Sequence, residues 1–186
     1  GDDSPKWAVF EWISDLMSSL FKRVPIVINY HRCILTGKEF NSNADMLADS
    51  ENMLDKAVEK GFCLRHDAFG MKTYYTTWER GFATKYRYVR PFIMEGGWVE
   101  ASHGNSIKGD GYANFAEVRQ GEYDEAKGAN VNMMDLRYSS NVNSGETHSW
   151  FNTAFKLVKS FIAEGGYRLY PDKVSVPETI GSGADV

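Results

Sequence analysis

Short, uninterrupted apolar runs alternate along this chain with longer stretches whose apolar residues recur at helical spacing. Val24-Pro25-Ile26-Val27-Ile28-Asn29-Tyr30, Phe62-Cys63-Leu64 and Val89 to Met94 are runs of the first kind. Such runs are strands buried on both faces, the signature of a parallel sheet covered by helices. Val131 to Tyr138 is a fourth, weaker run.

Helical patterns separate them. Asn41, Ser42 and Asn43 offer caps for a helix with Met46, Leu47, Met53, Leu54, Ala57 and Val58 on one face, closed by Gly61. Thr73 to Tyr86 carries Tyr74, Tyr75, Trp78, Phe82 and Tyr86 at helical spacing, with Gly81 as a weak point. Trp150, Phe151, Ala154, Phe155, Val158, Phe161 and Ile162 form an amphipathic stripe that ends at Gly165-Gly166. A helix opening the chain turns Trp7, Phe10, Ile13, Leu16, Met17 and Leu20 inward, and another is expected around Tyr112 to Lys127.

The expected order is α-β-α-β-α-β-α-β-α, with strands beginning roughly every 30 to 40 residues, the repeat of a (β/α)8 barrel. The predicted fold class is α/β: four βα units of a TIM barrel over residues 1–166. Right-handed crossovers then make the strands parallel and gather their ends on one rim. Residues 167–186 switch to the alternating pattern of a half-exposed strand interrupted by Pro171, the start of a β segment or a linker. Four units cannot close an eight-stranded barrel, so an N-terminal half-barrel or a second copy is expected to cover the open sheet edges.

Composition narrows the function. A chain of 186 residues with 42% hydrophobic content supports one domain with a real core. Net charge is −4 and the 21 Lys and Arg are scattered, which argues against nucleic acid, because phosphate binding needs a basic face. No run approaches the ~18 apolar residues of a membrane span. Cys33 and Cys63 are too few for a disulfide framework and lack metal-ligand spacing; Cys63 reads as a buried thiol. No metal or cofactor is called for. An aromatic fraction of 14% suits either sugar stacking or a large aromatic core, the core being the first expectation.

The strand ends collect the reactive side chains. Asn29, Tyr30, His31 and Arg32 follow the first strand, and Arg65, His66 and Asp67 the second. Glu95, Gly96, Gly97 and Trp98 follow the third; Asp135, Arg137 and Tyr138 belong to the fourth. Carboxylates beside arginines, histidines and aromatics are what glycoside hydrolysis requires: one carboxylate attacks or activates water, another acid protonates the leaving oxygen, and rings hold the sugar. Each residue also has a plainer reading. Arg65 and Asp67, two apart on a strand, can be a structural pair; His31 and His66 can be satisfied hydrogen-bonding residues; Trp98 can pack on a helix; Asp135 can accept backbone amides. Glu95 resists such a reading best, because Gly96-Gly97 allows close backbone approach to a ligand. Glu100 to Gly111 is a long Gly-rich segment, read as a solvated loop in preference to a phosphate cradle.

Gly61 to Gly70, Arg90 to Trp98, and Trp150 to Asn152 through Gly166 to Leu169 resemble the C-terminal part of bacterial (β/α)8 glycoside hydrolases. These are β-galactosidase-like or cellulase-like sequences, often classed as a domain of unknown function in gut Bacteroidetes, with a β-sandwich after the barrel. The likeness spans about Val24 to Val176. It implies that the four strands are the fifth to eighth of the barrel, that Glu95 is the nucleophile of a retaining enzyme, and that the protein is periplasmic or extracellular. Tyr30, His31, Arg65, Asp67, Trp98, Asp135 and Tyr138 are then expected to shape a carbohydrate pocket. The clan's acid/base, a Glu after an Asn on the fourth strand, has no counterpart in this chain. An inverting pair of Asp67 with Glu95, and a non-catalytic sugar-binding barrel, are the alternatives.

Overall fold

A computed structural model of the chain describes residues 7–30, 44–135 and 146–164. In chain order the elements are α1 (Trp7–Leu20), β1 (Val27–Asn29), α2 (Ala44–Glu59), β2 (Cys63–Phe69), α3 (Thr77–Tyr86) and β3 (Phe92–Gly96). There follow α4 (Glu100–His103), a 3-10 segment (Gly104–Asp110), α5 (Phe115–Gly128), β4 (Met133–Asp135), α6 (Glu146–Thr153) and α7 (Phe155–Glu164). The sheet order is β1-β2-β3-β4 and every pair is parallel. The chain is therefore α/β, with a four-stranded parallel sheet alternating with helices. Cys33, the cap residues Asn41 to Asn43 and the expected strand after Tyr167 lie outside the described residues.

Register divides the sheet into two faces. Asn29 pairs with Arg65, Arg65 with Ile93, Ile93 with Met133, and Glu95 with Asp135. Side chains two apart on a strand share a face. Ile28, Leu64, His66, Phe92 and Met94 are buried on the helix side, while Asn29, Arg65, Asp67, Ile93 and Glu95 point to the opposite side and keep solvent contact. Between sheet and helices sits one large cluster in which Tyr30, Leu54, Val58, Phe69, Tyr75, Phe82 and Phe92 meet. The aromatic richness of the sequence goes largely here. Tyr30 is fully buried, its ring 4.9 Å from His66 and 5.0 Å from Phe82, and its hydroxyl donates to the Glu79 carbonyl.

Strand and helix limits follow local chemistry. β1 starts only at Val27, because Pro25 has no N–H to pair, and β2 runs on through Arg65-His66-Asp67 because its polar residues have an open face to occupy. α3 begins at Thr77 rather than Thr73: the backbone N–H and the hydroxyl of Thr76 both donate to Glu79 Oε2, which fixes the first turn. The stripe expected as one helix after Trp150 is two, α6 and α7, meeting at Ala154. Trp150, Ala154 and Val158 face inward while Phe151, Phe155 and Ile162 are exposed. The segment after Glu100 is helical and contributes Ile107 to a small cluster with Trp98 and Val118, which corrects its reading as a solvated loop.

α1 is turned differently from expectation. Phe10 and Met17 pack on the core and Ser14 is buried, its hydroxyl donating to the Phe10 carbonyl at 2.7 Å. Ile13, Leu16 and Leu20 are exposed instead of inward. Ion pairs flank this packing, Glu11 with Lys56 of α2 at 3.0 Å and Asp15 with Lys60, just beyond the end of α2, at 2.6 Å.

Candidate functional site

Asn29, Arg65, Asp67 and Glu95 come together on the face opposite the helices, toward the carboxyl ends of three adjacent strands. Arg65 is the hub. Its Nε donates to Asp67 Oδ1 at 2.7 Å, and its Nη2 lies 3.7 Å from Glu95 Oε1. Asp67 Oδ2 accepts from Asn29 Nδ2. The order across the sheet is thus amide, carboxylate, guanidinium, carboxylate. Arg65 and Asp67 are 27% exposed and Glu95 16%, so the group is shielded yet reachable. Register follows from the strands themselves: polar residues at alternate positions of β2 and β3 have one face without helices to occupy.

The turn behind Glu95 is built for packing. A Cβ on Gly97 would lie 2.7 Å from Ala68 Cα, where β2 bulges and Ala68 takes a φ of 66°. A Cβ on Gly96 or Gly70 would meet the side chain of Glu122. Gly97 N–H donates to the Phe69 carbonyl at 2.8 Å. Gly96-Gly97 therefore has a folding purpose, letting the end of β3 close against β2 and α5, which corrects the reading of these glycines as room for a ligand.

Trp98 shares this purpose. It is 5% exposed and its Nε1 donates to the Gly70 carbonyl at 2.8 Å, so its faces are not presented to a sugar. Tyr30 is likewise a core residue, with no surface left for substrate. His66 is buried among Tyr30, Phe69 and Tyr75. Two of the aromatics expected in the pocket, Tyr30 and Trp98, are thus withdrawn into the interior, while Arg65 and Glu95 keep solvent contact. His31 and Tyr138 lie outside the described residues. Asp135 pairs with Glu95 through the backbone of β4, and its side chain is outside the description.

Sequence reading missed Arg119 and Glu122. These α5 residues form an ion pair at 2.6 Å with side chains 1% and 0% exposed. Glu122 Oε1 accepts the Trp98 N–H and Arg119 Nη1 donates to the Trp98 carbonyl, each at 3.1 Å. Gly70 N–H donates to Glu125 Oε2 at 2.7 Å. One helix thereby holds the ends of both β2 and β3. Burial pushes the Glu122 carboxyl up to about 7, against the opposing pull of Arg119. The available signal was the inward face of α5, where Arg119, Glu122, Tyr123 and Ala126 recur at helical spacing.

Among the described residues no three His, Cys, Asp or Glu side chains gather as metal ligands, and no helix is long and apolar enough to cross a membrane. A cleft of about 510 Å³ opens at the other end of the sheet, lined by Phe21, Val24, Lys60, Cys63 and Arg90, away from Glu95. In parallel α/β proteins ligands bind at the carboxyl ends of the strands, and we take the Glu95 end as the candidate site on that ground. No family model, curated protein or solved structure matches the chain.

Proposed function

We propose that the chain belongs to a carbohydrate-active (β/α)8-type protein, its four strands the fifth to eighth of the barrel, with Glu95 as the nucleophile of a retaining glycoside hydrolase site. One observation carries this reading: Glu95 lies at the carboxyl end of a parallel strand, on the face that no described helix covers, beside the guanidinium of Arg65. A nucleophile must rest as the carboxylate, and Arg65 supplies the counter-charge. In the reaction, a Glu95 oxygen bonds to the anomeric carbon as the bond to the leaving oxygen breaks; that oxygen takes a proton from an acid ~5 to 5.5 Å from the nucleophile. Asp67 is ill suited to be that acid, since it accepts from both Arg65 and Asn29. The acid/base on this reading comes from outside the described residues.

The same contacts favour one second reading, a non-catalytic sugar-binding site in which the Asn29-Asp67-Arg65-Glu95 row hydrogen-bonds sugar hydroxyls. Glycan-array binding combined with hydrolysis of aryl glycosides separates the two. Hydrolysis that falls at least ~10³-fold in Glu95→Gln supports the nucleophile, given the size of a catalytic group's effect. Binding that survives this substitution, without turnover by either protein, supports the second reading. Absence of both binding and turnover would contradict both.

A further inference from the structure

Cations that are scattered along the chain are gathered by the fold at one place. Lys22 and Arg23 precede β1, Lys60 precedes β2 and Arg90 precedes β3, each in the connection that leads into a strand. Parallel order brings those connections to the amino end of the sheet, and all four residues line the cleft of about 510 Å³ there. None of the described residues lining that cleft is acidic, in a chain with 25 Asp and Glu and a net charge of −4. Charges of one sign in a concave site concentrate ligands of the other.

We propose that this cleft binds a small organic phosphate monoester, at the end of the sheet opposite Glu95. Arg90 is held for the task from behind: its Nε donates to the Val58 carbonyl at 3.1 Å and its Nη1 to the Val89 carbonyl at 3.3 Å. Among the described residues no carboxylate pairs with Lys22, Arg23 or Arg90, so their charge is left for a ligand. Lys60 has one partner, Asp15 Oδ1 at 2.6 Å, but the Asp15 side chain is 64% exposed and such a pair is weak. A phosphate dianion, with three acceptor oxygens, outcompetes it.

The inner wall feels the same field. Burial pushes the Cys63 thiol up and Arg90 pulls it back, so the guanidinium acts on the cleft interior. Phe21, Val24 and Pro91 add apolar wall for the organic part of the ligand, and the volume lies in the range of small-molecule clefts. A nucleic acid fits less well, because it needs a basic face that follows its backbone, and this is one enclosed cluster on an acidic chain. No residue of the cleft belongs to the Glu95 row, and the proposal does not depend on the carbohydrate reading.

Amide NMR titration of the 186-residue chain with phenyl phosphate tests the proposal. Saturable shifts are expected at residues 22–24 and 60–63, with a Kd of about 1 mM or tighter, and none with benzyl alcohol. Phenyl sulfate has the same shape and one charge fewer, and should bind at least about 5-fold more weakly. Lys22→Gln combined with Arg23→Gln should weaken phenyl phosphate by at least about 10-fold, with the far-ultraviolet dichroism unchanged because both side chains are exposed. Asp15→Asn frees Lys60 and should tighten binding by about 2- to 5-fold, a gain that damage to the fold does not produce. Removing two exposed cations outside the cleft, Lys108→Gln with Lys156→Gln, should change the affinity by less than about 2-fold, since distant charges are screened. No saturation by about 10 mM, or shifts that map elsewhere, would overturn the proposal. So would equal affinity for phenyl sulfate, equal losses in the two double variants, or weaker binding by Asp15→Asn.

Discussion

Gly97 and Gly81 illustrate how differently one residue type is used. A methyl on Gly97 would press into the backbone of Ala68, so Gly97→Ala is expected to destabilise the fold by about 1 to 3 kcal/mol, the usual range for forced overpacking. Gly81 is exposed within α3 and has nothing within 4 Å of an added Cβ. There the same substitution should stabilise by about 0.5 to 1 kcal/mol through helix propensity. Urea denaturation of the two variants checks the opposite signs. Glu122 makes a prediction in pH. Its folded carboxyl is raised to about 7 by burial, above the ordinary 4.5, so between these values protonation favours the folded state. That contribution is fully present below about 4.5 and is lost as pH rises through about 7. Glu122→Gln should flatten that part of the stability profile; an unchanged slope between pH 4.5 and 7 would refute the assignment.

At the level of elements, α5 is the member that joins the two strand ends to the last helices. Trp150 on α6 is almost fully buried against Tyr123, Ala154 and Val158, and the guanidinium carbon of Arg119 lies 5.2 Å from its ring. Trp150→Ala is therefore expected to cost about 3 to 5 kcal/mol by urea titration. Phe151, its exposed neighbour, should tolerate the same change within about 0.5 kcal/mol. Elements were largely legible from periodicity. The runs around Val27, Leu64, Phe92 and Met133 all became strands, and the helices between them formed where apolar spacing placed them. What periodicity could not supply was rotation. The apolar residues of α1 span a wider arc than one packing face can use, so Ile13, Leu16 and Leu20 were equally compatible with facing in or out; in the fold Phe10, Ser14 and Met17 take the inward side. The break at Ala154 carries no glycine or proline signal either.

For the molecule as a whole, parallel order puts the carboxyl ends of all four strands on one side, the end where ligands bind in parallel α/β proteins. Arg65, Asp67 and Glu95 were readable as rim residues because each follows or ends an apolar run, and they do share one face. Tyr30 and Trp98 were misplaced for a physical reason. A strand end has two sides, and composition alone does not tell whether an aromatic ring there faces the ligand side or the helices. Buried partners also escape sequence reading: Arg119 and Glu122 look like ordinary helix-surface charges until tertiary packing encloses them.

The central claim concerns the role of Glu95, and a covalent trap tests it most directly. A 2-deoxy-2-fluoro glycoside with a dinitrophenolate leaving group needs no acid for departure, so a missing acid/base does not mask the first step. Intact-mass and peptide-mass spectrometry of the protein incubated with a panel of such sugars should find one glycosyl adduct on the Glu95 peptide, absent in Glu95→Gln. An adduct on another residue, or hydrolysis of the unfluorinated glycosides with no adduct at Glu95, would contradict the account.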